Sequence, residues 1–282
     1  MRAAGLSRWS VLILLAGLLA GCGHPPYPRG SVDELFPTGQ RPRFNSVRLE
    51  GRSLTVAAMA PTSTAPQAPV LLFLHGSPGS WKAWSVFLRD PQLDGFGPRL
   101  AVDRPGFGAS EPGAVMTDLR AQAALLSGLI PPGRKAIVVG HSLGGPLAAW
   151  MAIDFPEKVC GALSIAGSLS SRYEAPRWYN ELAQWSVVQW ALPPEMVWSN
   201  REMMPLSAEL ALLEVQMGRL HVPLVLMQGG KDSLVDPRTV DEVTKFAPKS
   251  WLTVRQYPEA SHFVLWEKPQ LVIDAIRAMP CD

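Results

Sequence analysis

The sequence predicts an α/β fold, with a mostly parallel central sheet, helices on both faces and a helical cap inserted late in the chain. Three observations lead there. Short apolar runs bounded by Gly and Pro recur along the chain, and helical patterns fill most of the gaps between them. One gap is far longer than a single crossover helix needs.

Val47 to Leu49 and Leu54 to Ala58, on either side of Glu50-Gly51-Arg52, read as an antiparallel edge hairpin. A Pro/Thr/Ala linker, 61–69, follows. Val70 to Leu74, Leu100 to Val102, Ala136 to Val139, Ala162 to Ala166 and Pro223 to Met227 are continuous apolar runs, as suits parallel strands covered on both faces. Trp251 to Tyr257 reads as the last strand. Helical periodicity falls at about 81–89, 117–129, 143–154, 238–246 and 269–278. Between Ala166 and Val222 lie about 55 residues, where a crossover needs little more than one helix of a dozen. The segment 168–220 is therefore expected to be a cap. Its Trp178, Trp185, Trp190 and Trp198 are expected mainly to form the cap's own small core, with some lining an apolar pocket, and its glutamates to be solvated.

A chain of 282 residues suits one large α/β domain, and 47% hydrophobic residues argue for a packed globule. The formal net charge is +2, and Arg2 and Arg8 account for it. Without them the basic and acidic residues balance, so nucleic acid is not an expected partner.

The amino terminus reads as a processing signal, residues 1–21. Arg2 and Arg8 precede an apolar stretch from Trp9 to Ala20, too short for a bilayer core of ~30 Å. It ends in Leu19-Ala20-Gly21-Cys22, which resembles the lipobox of bacterial lipoproteins. That resemblance implies cleavage before Cys22, a lipid on its thiol, and an exported, membrane-anchored protein of the bacterial cell envelope. Residues 22–43 are expected to be a proline-rich tether, and 44–282 the folded domain. Cys160 and Cys281 are expected to be free thiols, since one begins a strand and the other lies near the chain end. No Cys/His spacing suggests a metal site.

The chemistry centres on Ile137-Val138-Val139-Gly140-His141-Ser142-Leu143-Gly144-Gly145, an apolar run, then Gly-x-Ser-x-Gly, then a helical run. In that context the pattern is a nucleophile elbow, with the Ser142 hydroxyl at the carboxyl end of the sheet near a helix amino terminus. A serine needs a base, and His262, between the last strand and the last helix, is the best placed of the five histidines. The base needs an acid, and Asp232 and Asp236 share one loop. Asp232 is the expected acid. Asp236 before Pro237 is expected to cap the next helix, with Pro237 at its first position. His75-Gly76-Ser77-Pro78-Gly79 follows a strand, and the Ser77 and Leu143 N–H groups are the expected oxyanion donors.

From about Phe44 to Met279 the chain resembles the α/β-hydrolase superfamily. The motifs agree in order: His75-Gly76-Ser77-Pro78-Gly79, Asp103-Arg104-Pro105-Gly106-Phe107-Gly108-Ala109-Ser110, the elbow at Ser142, Gly229-Gly230-Lys231-Asp232, and Ser261-His262. The Asp-Arg-Pro-Gly-Phe-Gly stretch marks the fold in that family and is expected to shape the pocket floor. The resemblance implies two-step acyl transfer without a cofactor, on a small-molecule acyl substrate and with a serine where the epoxide-hydrolase and haloalkane-dehalogenase branches carry aspartate. A carboxylic ester is the first expectation. A proline-iminopeptidase-like reaction using cap glutamates (Glu174, Glu181, Glu195, Glu202), or carbon–carbon bond hydrolysis, are the alternatives. A surface-anchored binding protein that has lost catalysis is the outlying one.

Overall fold

A computed structural model describes residues 28–61 and 67–281. Residues 1–21, read above as a processing signal, and Cys22 lie outside the described residues. Eight strands form one sheet: β1 (Arg43–Leu49), β2 (Arg52–Met59), β3 (Val70–Leu74), β4 (Arg99–Val102), β5 (Ala136–His141), β6 (Val159–Ile165), β7 (Leu224–Gly229) and β8 (Leu252–Tyr257). Their order is β1-β2-β4-β3-β5-β6-β7-β8. The β1–β2 hairpin turns at Glu50-Gly51 and joins the sheet antiparallel through β2 and β4, while every other pairing is parallel. This is the architecture expected from the sequence, with strand ends moved by a few residues.

The two-residue side-chain period of the strands sorts the core into two layers. Val70, Leu72 and Leu74 face one side with Val138, where the helices Leu119–Ser127 and Gly144–Asp154 pack. Leu71 and Phe73 face the other with Ile137 and Val139, against the helices Ser85–Arg89 and Pro269–Arg277. All five side chains of β3 are fully buried, and each such Val, Leu or Phe contributes about 1.5–3 kcal/mol on leaving water. An interior strand with two covered faces is the reason the run carries no polar residue.

Within the segment read as a tether, Val32–Leu35 is a helical turn closed by a capping box from Ser31 and Glu34. Leu35 and Phe36 are buried against the body, and Phe36 lies beside Trp81.

The expectation of two free thiols is overturned, because Cys160 and Cys281 form a disulfide. The last helix runs back along the sheet and delivers Met279 against Gly161, at the start of β6. The two cysteine Cα atoms are thereby 5.1 Å apart although 121 positions separate them. Local sequence carries no trace of a meeting set by the path of a helix.

The cap comprises the helices Trp178–Leu182, Ser186–Ala191, Pro194–Met203 and Leu206–Gln216. Its buried residues are not the expected tryptophans. Leu206, Leu210, Leu213 and Met217 sit in the main core, whereas Trp178, Trp185 and Trp190 are exposed. Trp198 alone of the four turns inward, its ring 6.5 Å from that of Phe107. Among the described residues no helix is long and apolar enough to cross a membrane.

Candidate active site

The turn between β5 and the helix Gly144–Asp154 holds Ser142 at φ +53°, a left-handed conformation that costs a non-glycine residue energy. Two glycines permit it. A Cβ at Gly140 would lie 1.9 Å from Gly144 O, and one at Gly144 would lie 2.3 Å from Leu74 O. The Ser142 N–H donates to Ile165 O at 2.9 Å, tying the turn to the neighbouring strand. Ser142 remains partly exposed at the carboxyl edge of the sheet. Its hydroxyl makes no hydrogen bond among the described residues, as is common before a substrate tightens such a site.

His262 follows β8, and Asp232 follows β7. The loops that carry them are joined by Lys231 N–H to Ala260 O at 2.9 Å and Gly230 N–H to Tyr257 O at 2.9 Å. His262 Nδ1 and Asp232 Oδ2 are 2.8 Å apart, with both side chains buried. An ionised carboxylate only accepts, so Nδ1 carries the proton and Nε2 is left without one. The other contacts of Asp232 fix its carboxylate in place. Its Oδ1 accepts from the Leu234 and Val235 N–H groups at 2.9 and 2.8 Å, and Gln228 Nε2 donates to Oδ2 at 2.9 Å. Gln228 went unnoticed in the sequence because it reads as the last residue of a strand. Four donors compensate a carboxylate that would otherwise be costly to bury.

Asp236 is the acid that stays outside. It accepts from the Arg238 N–H at 2.9 Å and pairs with the Arg238 guanidinium at 2.6 Å. The following helix begins at Thr239 with Arg238 as its N-cap, so Asp236 closes a turn ahead of the helix and Pro237 is not its first residue.

The segment carrying Ser77 and the residue Leu143 both lie beside Ser142. Leu143 directly follows it as the N-cap of the helix, and a Cβ at Gly76 would lie 2.9 Å from Ser142 Cβ. Neither the Ser77 nor the Leu143 backbone N–H has an acceptor among the described residues. Two backbone donors without a protein acceptor thus lie beside one hydroxyl.

The loop bearing Ser77 is fastened from beneath by His75 and Arg104. His75 donates from Nδ1 to Gly76 O at 2.7 Å and accepts the Arg104 N–H on Nε2 at 2.9 Å. Burial, together with the Arg104 charge, pushes its pKa well below the ordinary histidine value and keeps it neutral. The Arg104 guanidinium, fully buried, donates to His75 O, Gly76 O and Gln122 Oε1. It also forms a two-pronged pair with Glu202 at 2.8 and 3.0 Å. Glu202 Oε2 in turn accepts from Ser77 Oγ at 2.6 Å. Glu202 is therefore a buried anion clamping cap to loop, and the expectation that it is solvated is overturned. The compensating cation comes from 98 positions away, beyond the reach of any local pattern. Glu174 is also not freely solvated. It accepts from Ser168 Oγ at 2.6 Å, and burial raises its pKa, while nearby Arg177 and His262 pull it down.

His141, beside Ser142, donates from Nε2 to His262 O at 3.0 Å, and the two rings are 4.9 Å apart. Burial, with His262 adding to it, lowers its pKa to about 3. It acts as a neutral strut for the loop carrying His262. An open groove of about 480 Å³ belongs to the cap, where Trp190, Leu192, Val197 and Trp198 line it; Ser142 is not part of its wall.

A strand-turn-helix serine, a buried Asp–His pair and a cap over the carboxyl edge define a hydrolase-type site on an α/β sheet. The chain matches the model of the alpha/beta hydrolase family over residues 71–275 and belongs to that family. It is 38% identical over 101 residues to the dihydrolipoyllysine-residue acetyltransferase component of the acetoin cleaving system of Cupriavidus necator, covering 35% of this chain and 26% of that one. It is 30% identical over 129 residues to epoxide hydrolase B of Mycobacterium tuberculosis, covering 44% and 36%. The chain thus spans well under half of either relative. Among solved structures, a bacterial membrane phospholipase A matches with a TM-score of 0.62 and 18% identity over 96% of this chain and 91% of that one. That likeness is one of fold. Other structural neighbours include a monoacylglycerol lipase, a carboxylesterase of Bacillus subtilis and an epoxide hydrolase.

Proposed function

We propose that this protein is a serine hydrolase that cleaves carboxylic esters of apolar acids through an acyl-enzyme, in the bacterial cell envelope. The observation that carries this reading is the 2.8 Å Asp232–His262 contact in the loops next to a strained Ser142, between two unpaired N–H groups. Ser142 Oγ attacks the carbonyl as His262 Nε2 takes its proton, and Asp232 holds the imidazolium. The N–H groups of Ser77 and Leu143 receive the oxyanion. His262 returns the proton to the leaving alkoxide, then activates the water that releases the acid. A hydroxyl in place of a carboxylate at 142 disfavours the epoxide chemistry of some relatives. Export and a lipid on Cys22 are proposed from the lipobox-like leader, and the Cys160–Cys281 disulfide agrees with an oxidising compartment.

A fluorophosphonate probe should label the parent and fail on Ser142→Ala, with acyl-ester turnover lost by several orders of magnitude and the fold retained. Turnover of Ser142→Ala within tenfold of the parent would exclude Ser142 as nucleophile.

Glu174 favours a second reading. A partly buried cap carboxylate near His262 could hold a substrate amine, as an aminopeptidase requires. Comparing acyl esters with prolyl amides, on the parent and on Glu174→Gln, separates the two.

A further inference from the structure

Trp178, Trp185 and Trp190 are 60%, 61% and 58% exposed, on the helices Trp178–Leu182 and Ser186–Ala191 and the turn between them. Tyr179 and Val187 are exposed among them. Tryptophan is ordinarily well buried, so three in one short stretch mark a surface meant to be covered. Between Trp178 and Pro194 the single charged side chain is Glu181, so little charge need be stripped of water when this face is covered. Indole and phenol rings, apolar with one polar edge, suit the headgroup level of a bilayer.

The path of the chain says which way this face points. The described chain starts at Pro28, and Gly30 O accepts from Lys82 Nζ at 2.8 Å. Lys82 lies in the turn Trp81–Trp84, just past the loop that carries Ser77 at the carboxyl edge of the sheet. The cap is fastened to that same loop, through Ser77 to Ser199 and Glu202. From Cys22 to Pro28 an extended chain reaches at most ~20 Å. A lipid on Cys22 would therefore tether the protein by the edge that bears both cap and Ser142.

We propose that the Trp178–Trp190 face of the cap docks on the surface of a phospholipid bilayer, so that the site takes acyl esters carried by the membrane. The orientation rests on reading Cys22 as the lipid-bearing residue. In that arrangement the anchor supplies proximity, and the tryptophans supply the tilt that turns the cap toward the leaflet.

The processed full chain, added to phosphatidylethanolamine/phosphatidylglycerol vesicles whose acyl chains carry bromine near the headgroup, should show quenched tryptophan emission. The Trp178→Ser/Trp185→Ser double variant should still float with the vesicles but lose most of the quenching. Its turnover of a vesicle-borne ester should fall about tenfold, while that of a water-soluble short ester stays within about twofold, which also reports an intact fold. Quenching unchanged by the double substitution, or absent from the parent, overturns the docking surface. Intact mass reads the anchor separately. A parent without lipid that is still quenched through Trp178 and Trp185 supports docking and removes the anchor. A quenched parent that hydrolyses no ester supports docking and removes the esterase reading.

Discussion

At the scale of single residues, two aspartates on one loop show how position decides chemistry. Asp232 contacts His262 and accepts four hydrogen bonds in a buried setting, whereas Asp236 is engaged with Arg238 at the surface. Asp232→Asn would leave His262 in the wrong tautomer and should lower kcat by ~10⁴ with little change in melting temperature. Asp236→Ala removes a solvated pair and a turn contact, and should cost no more than ~1 kcal/mol in denaturant titration with turnover nearly unchanged. His141 gives a pH signature. Its folded pKa, about 3, lies below that of an unfolded histidine, so it adds stability above pH ~6.5 that is lost as the pH falls toward 3. Asp103 and Glu174, raised by burial, act in the opposite sense over their own range. The informative quantity is therefore a difference. Between pH 6 and 4, stability of the parent should fall more steeply than that of His141→Gln, by on the order of 1.4 kcal/mol per pH unit. Equal slopes would mean that His141 charges freely in the folded protein.

At the scale of elements, the cap is seated by one buried charge pair. Arg104, from the loop after β4, and Glu202, from the helix Pro194–Met203, are both enclosed, and the pair reaches Ser77 through the Glu202 carboxylate. Coulomb attraction roughly offsets the desolvation of such a pair, so its presence says little about net stability. Removing one partner is different, because the other charge stays buried and unpaired. Glu202→Ala should cost about 3–5 kcal/mol in thermal unfolding. Glu202→Gln, which keeps the shape and part of the hydrogen bonding, should lose less. A smaller loss for the alanine variant would show that water enters and solvates Arg104. The clamp also explains why Asp-Arg-Pro-Gly-Phe-Gly lies beside the loop that carries Ser77. Asp103 braces two loops through the Trp81 and Ala109 N–H groups, and Arg104 braces loop and cap.

At the scale of the whole molecule, the disulfide joins the start of β6 to the carboxyl terminus. Closing a loop between cysteines 121 positions apart removes much conformational freedom from the unfolded chain, on the order of 5 kcal/mol in the chain-entropy account. Cys160→Ser/Cys281→Ser should lower the denaturation midpoint correspondingly. Turnover at low temperature should persist, since the bridge lies where β6 starts and Ser142 sits at the opposite, carboxyl edge. An unchanged midpoint under reducing and oxidising conditions would mean that the thiols are not bridged in solution.

The chain by itself determined what depends on local period and spacing. Continuous apolar runs became the two-faced sheet, and Gly140-x-Ser142-x-Gly144 between strand and helix became a turn that only those glycines allow. Asp232 and His262 could be named because each lies just after a strand, and parallel strands send all their carboxyl ends to one edge. Tertiary structure alone decided the rest. Cys160 met Cys281, Arg104 met Glu202, and Gln228 turned to brace Asp232. Trp178, Trp185 and Trp190 faced outward although their composition resembles a core. Burial and pairing depend on which distant segment arrives at a position, and a local pattern records a residue's own preference but not its neighbours across the fold.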